Sequence, residues 1–220
     1  MSVIGSTLPF FFGASRSSGP AIGSSLGGGF FAGYISHTAN GVATHALIVA
    51  PAATGATGTG YTLTTDKQWK TTNTTTAGTT STYNGAANSA NMNNASHPAA
   101  QFCEGLSIGG YTDWYLPARD ELEIAYYNLK PTTDSNNTSW GINAYAVPAR
   151  GSNYTAGTPA QTTVTAFQTG NSEAFVADTH WSSTETSSGG ASTQFFFSGF
   201  QISRSKGNLY RVRAFRKLAL

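Results

Sequence analysis

The chain has 220 residues, enough for one sizeable domain with its own core. Charged residues make up 10%, against roughly 25% in ordinary soluble proteins, and glycine, serine, threonine and asparagine fill the gap. That composition suits a loop-rich protein packed at high copy in an assembly, and a net charge of +2 excludes a general nucleic-acid or membrane-surface binder.

Residues 1–29 read as an arm ahead of a domain spanning residues 30–220. Phe10, Phe11 and Phe12 need a surface to bury against, and the Gly/Ser-rich residues after them let the cluster swing. They form either an assembly arm or a first strand of the domain. The amino end lacks the basic start and continuous apolar core of a signal peptide. The single cysteine, Cys103, makes no intrachain disulfide and reads as a small buried hydrophobe, which fits folding in a reducing compartment.

Residues 30–36 and 44–50 read as strands separated by a turn containing Asn40-Gly41, so a hairpin is expected to begin the domain. Residues 51–94 form a long uncharged polar stretch pinned by Trp69 and Tyr83. Ser96 is placed to cap a short helix running to Leu106, with Ala99, Phe102, Cys103 and Leu106 on one face.

The clearest element follows Gly109 and Gly110. Pro117 opens a helix, Leu122, Ala125, Tyr126 and Leu129 recur at helical spacing, and Pro131 stops the run. Asp120 and Glu121 suit the dipole of its first turn, and Arg119 is spaced to pair with Glu123. These acids are expected on a solvated helix face; the alternative is a catalytic carboxylate pair.

Residues 131–165 form a second long loop. Trp140, Tyr145 and Tyr154 offer aromatic platforms there, with Asn143 and Arg150 for directional hydrogen bonds, so this loop is the expected ligand-binding surface. Simple loop anchoring or subunit contact is the alternative. Strands are expected at 174–177, 180–184, 193–202 and 209–216, the last two as a hairpin with one partly charged face. Six of the twelve basic residues fall between Arg204 and Lys217, and half of the ten acids between Glu104 and Glu123. These regions either attract each other or a partner, or form solvated faces.

Three stretches carry a resemblance. Gly110-Tyr111-Thr112-Asp113-Trp114-Tyr115-Leu116-Pro117-Ala118-Arg119-Asp120-Glu121-Leu122 is similar to the glycine-aromatic-D-W-x-L-P and R-x-E-L motif of the Lcl-type C-terminal domain family. His180-Trp181-Ser182-Ser183-Thr184-Glu185 resembles its aromatic-W-S-S-T element, and Tyr210-Arg211-Val212-Arg213 its closing strand. The resemblance implies an α+β, C-type-lectin-like fold: a twisted, mostly antiparallel sheet with two helices and long loops. It makes Asp113, Trp114, Pro117, Glu121, Trp181, Ser182, Ser183 and Arg213 structural-motif residues, with both tryptophans in the core. It also implies a setting in tailed-phage particles or on bacterial surfaces. The expected protein is a homo-oligomeric virion component, joined to other virion proteins by its arm. It either recognises a host-surface glycan or protein or serves as a decoration or cementing subunit without a host ligand. A bacterial surface adhesin is the remaining alternative.

Chemistry for catalysis is not evident. His37, His45, His97 and His180 lack metal-ligand spacing, and no phosphate loop, dinucleotide turn or Gly-x-Ser-x-Gly occurs. The late strand carries hydroxyls where calcium-dependent lectins carry carboxylates and amides, so no calcium site is expected. Neither enzyme activity nor a cofactor, metal, nucleic acid or membrane insertion is predicted.

Overall fold

The computed structural model describes residues 19–58 and 65–220. The expected Phe10–Phe12 arm lies outside them. The fold is mixed α+β, and among the described residues its strand ladders are all antiparallel. Strands β1 (Ser25–Leu26), β2 (Gly29–Ile35) and β3 (His45–Val49) form a meander. Ser25 and Leu26 already pair with β2, so the sheet begins inside the segment read as arm. After helix α1 (Ala52–Gly55) and β4 (Lys67–Gln68) come α2 (Gly85–Ala90), α3 (Pro98–Glu104), α4 (Arg119–Leu129) and β5 (Ala146–Val147). The chain then forms β6 (Thr179–Glu185), β7 (Gly190–Phe195), β8 (Gln201–Ser205), β9 (Leu209–Tyr210) and β10 (Phe215–Ala219).

The order β1-β2-β3-β10 places the last strand beside the first hairpin, and β5 borders the far end of β2. A second sheet, β6-β7-β8, is a meander, and β4 pairs with β9. Helix α4 lies across β2, where Gly33 has φ 137° at a bulge; a Cβ there would meet Asn128 Nδ2 at 2.6 Å and Ile124 at 2.8 Å. Glycine thus allows the close approach that lets Asn128 donate to the Ala32 carbonyl at 2.7 Å.

Several expectations are corrected. Residues 193–202 are not one strand: β7 ends at Phe195, and β8 pairs with it across the turn 196–200. The 209–216 segment pairs with β4 and β3 instead of hairpinning onto 193–202. No strand forms at 174–177. Helix α3 is capped at His97, without a side-chain bond from Ser96. Four helices are present among the described residues; α2 escaped notice because its Gly-Ala-Ala-Asn-Ser-Ala run has no apolar periodicity, although its Asn84 cap accepts from Ala87 N.

The tryptophans of the two motif stretches are interior, as their core reading requires, although residues 110–113 at the start of the first are exposed. Trp114 and Trp181 are fully buried with Trp69 in one cluster that also holds Cys103, Leu116 and Val212. Each indole N–H has an acceptor: Trp69 donates to Ser182 O, Trp114 to Tyr111 O and Trp181 to Lys67 O. The motifs also touch through the backbone. Ser183 N donates to Pro117 O at 2.7 Å, and Arg119 N to Thr184 Oγ1 at 3.1 Å.

The charged faces are where sequence reasoning erred most. Asp120, Glu121 and Glu123 are buried, as are Lys206, Arg211, Arg213 and Arg216. Arg119 pairs with Asp120 at 2.9 Å rather than with Glu123. Arg216 forms a bidentate pair with Asp113 (2.8 and 2.9 Å), so the basic C-terminal region and the acidic central one do attract each other. Glu121 accepts from Ala118 N at 2.8 Å, Gly85 N at 3.1 Å and Tyr115 OH at 3.0 Å, tying α4, α2 and the segment ahead of α4 together.

Burial pushes the Glu121 carboxyl up to about 7 from an ordinary 4.5, against the pull of those donors. The folded state therefore holds this proton more tightly than the unfolded chain, and the cost of ionisation grows as pH rises from about 4.5 through about 7. The isostere Glu121→Gln keeps an oxygen for the two amides and has nothing to ionise. Urea unfolding across that window is expected to show the variant gaining on the wild type as pH rises. Parallel stability curves would refute this account.

Candidate functional site

Lys130 follows α4 and is 1% exposed. Its ammonium donates to the Asp134 carbonyl, to Asn136 Oδ1 at 2.8 Å and to Pro159 O at 3.3 Å, drawing both ends of the 131–165 loop to the helix terminus. Asn136 continues the tie through Nδ2 to the carbonyls of Thr155, Ala156 and Pro159. The loop is thereby built around buried polar groups of α4.

The middle of the loop does the same with Glu123. Asn143 Nδ2 donates to Glu123 Oε2 at 2.5 Å, the Arg150 guanidinium pairs with the same oxygen, and Tyr154 OH donates to Oε1 at 2.5 Å. Asn143 Oδ1 accepts from the amides of Tyr145 and Ala146, so its whole amide is engaged internally. Asn143 is 2% and Tyr154 6% exposed. These two groups, expected to face a ligand, face the helix instead. A buried carboxylate needs donors more than a polar loop needs a partner, and the loop supplies them. Arg150 keeps a partly open position 4.2 Å above the Tyr127 ring.

The other two expected residues point to different places. Tyr145 is half-buried and stacks on Tyr83 with centroids 4.2 Å apart. His37 meets the Tyr83 ring edge-on at 5.4 Å and lies 4.3 Å from His45, while Lys217 Nζ donates to Asn84 Oδ1 at 2.7 Å. Partial burial, with Lys217 and His45 nearby, lowers His37 to about 4. This patch of stacked tyrosines, imidazoles, an amide and an ammonium was only partly visible in sequence, because Tyr83 and Lys217 are far from Tyr145 along the chain. Trp140 packs instead edge-to-face against Phe200, centroids 6.1 Å apart.

A more enclosed cavity of about 390 Å³ lies between α1 and residues 169–177, with Phe175, His180 and Arg213 in its wall. Its one charged side chain is already engaged. Arg213 donates to Ala50 O at 2.7 Å and pairs with Glu173 at 3.1 Å, while burial pushes His180 down to about 3, leaving it neutral. Among the described residues no three His, Cys, Asp or Glu side chains converge to hold a metal, and no helix is long and apolar enough to cross a membrane. Cys103 is buried and free, its thiol pushed up by burial.

No protein-family model matches the chain, and no curated protein matches it either.

Glu123→Ala leaves Arg150, Asn143 and Tyr154 without their shared acceptor. It is expected to cost about 3–5 kcal/mol, the range for breaking a buried pair. Hydrogen exchange should accelerate first across residues 137–155, while β2 and β3 stay protected. Uniform acceleration over the chain would mean that the loop is not an independently anchored layer.

Proposed function

We propose that this chain is a non-enzymatic, C-type-lectin-like structural protein of a tailed-phage particle, carried on the capsid or tail, whose irregular connections meet a host-surface glycan or protein. The observation that carries this reading is the inward bonding of the ionisable side chains. Glu121, Glu123, Glu185, Lys130, Lys206 and Arg213 all serve as internal ties. The accessible groups include hydroxyls, amides and partly exposed aromatics beside a few charged side chains such as Asp113 and Asp134, and the Tyr83–Tyr145 stack with Asn84 and Lys217 is an organised cluster among them. Stacked rings beside directional hydrogen-bonding groups suit recognition of a saccharide or peptide surface. The order and spacing of the Lcl-like motifs support the same reading. The virion setting, the homo-oligomer and the docking to other virion proteins follow from that resemblance and from the low-charge composition.

The second reading is a decoration or cementing subunit that recognises nothing on the host. It is favoured by exposed apolar residues such as Val42, Ile142 and Phe197, which suit permanent contacts.

Incubating the purified protein with host cells separates the two. A recognition protein adheres and competes with infection, and Tyr145→Ala weakens adhesion by about tenfold, ~1.4 kcal/mol. A cementing subunit does neither, whatever stands at position 145.

A further inference from the structure

The chain contains two phenylalanine triplets, Phe10-Phe11-Phe12 and Phe195-Phe196-Phe197. The second leads into the β7–β8 turn. As β7 passes into the turn, Phe196 is fully buried in the core while Phe195 is half-buried and Phe197 is 39% exposed. Phe195 lies 5.6 Å from both Phe197 and Phe200, and Trp140 packs on the edge of Phe200. The Phe195, Phe197 and Phe200 rings, with Asn136, Asn137 and Arg204, line an open hollow of about 450 Å³. No carboxylate lines it; its one ionised group, Arg204, stands 5.6 Å from the Phe195 ring, with Nε shielded and unbonded. Clustered, open aromatic surface of this kind marks a contact site.

We propose that the segment Leu8-Pro9-Phe10-Phe11-Phe12 of this chain occupies the hollow. The chemistry matches, since the segment is uncharged and triply aromatic while the hollow is built of rings that accept edge-to-face partners. The position matches as well. Ala21 and Ile22, close to where the described chain starts, share a surface depression with Thr158 and Pro159. The Pro159 carbonyl accepts from Asn136 Nδ2 at 2.9 Å, and Asn136 belongs to the aromatic hollow. The chain start and the hollow therefore flank the same pair of segments. Seven residue steps lead from Gly19 back to Phe12, a reach of about 25 Å when extended. That is the length of chain with which the segment can approach its own domain or a neighbouring copy. This inference holds whether or not the protein has a host ligand.

Disulfide trapping in the full-length protein tests it. Gly13→Cys places a thiol just beyond the triplet, and Ser198→Cys places one in the lining of the hollow; native Cys103 is buried and does not compete. The control pairs Gly13→Cys with Ser187→Cys, which is exposed at the opposite end of β7. Docking raises the local concentration of the first pair, so cross-linking is expected at least about tenfold faster than in the control. Adding Phe11→Ser and Phe12→Ser, or Phe197→Ser, should return it to the control rate with near-ultraviolet circular dichroism of the domain unchanged. A cross-link within one chain or between two supports the proposal equally. Equal rates for the two pairs, or rates indifferent to the serine substitutions, overturn it and leave the hollow to an external ligand.

Discussion

Helix α4 begins where a buried carboxylate accepts three hydrogen bonds. Glu121 reaches back to Ala118 N in its own first turn, across to Gly85 N at the start of α2, and down to Tyr115 OH. Gly85 is required there, because a Cβ would lie 2.3 Å from the Glu121 oxygen and 2.5 Å from Ala118 N. Around this junction the other long-range ties fall into place. Tyr115 exchanges backbone bonds with Phe215, bringing β10 to the motif, and Pro117 receives the amide of Ser183 from β6. Both sheets are thus joined through one turn of chain. A group that held α4 to α2 alone would leave the sheets free to part.

Burying charge is the means by which a loop-rich chain stays ordered. Six basic and five acidic residues are buried among those described, of twelve and ten in the whole chain. Lysine and glutamate are almost never fully buried unless paired, so each imposes a demand for partners on whatever surrounds it. Irregular backbone meets that demand with its free carbonyls and hydroxyls. Lys70 Nζ donates to Thr74 O, Thr75 O and Thr76 Oγ1, and Lys206 pairs with Glu185 while donating to Thr74 O. The Thr76 amide returns a bond to Glu185, and His97 joins through Thr76 Oγ1. The threonine-rich stretch is shaped by two ammonium groups and one carboxylate, not by apolar packing of its own.

Such anchoring bears on function through rigidity. A loop held at Lys130, Asn136 and Glu123 presents its remaining side chains from a fixed frame, which lowers the entropy that any contact must overcome. The accessible aromatics, Tyr83 with Tyr145 and Phe197 with Phe200, are carried by elements braced in this way.

The sequence by itself determined the elements whose signals are local. The Pro117 start and Pro131 stop bracket α4, the Asn40-Gly41 turn between two strand-like runs marks β2 and β3, and the tryptophan motifs read correctly as core. Only tertiary structure decided where the charges went and which segments paired. Asp120, Glu121 and Glu123 look like one solvated helix face, because spacing along a helix does not disclose that Gly85, Asn143 and Arg150 arrive from elsewhere to satisfy them. The same ignorance hid the inward turn of Asn143 and Tyr154 and the break at residues 196–200. A hydrogen bond between residues 20 to 36 positions apart leaves no periodic trace in the chain, whereas a cap, a proline or a turn signal does.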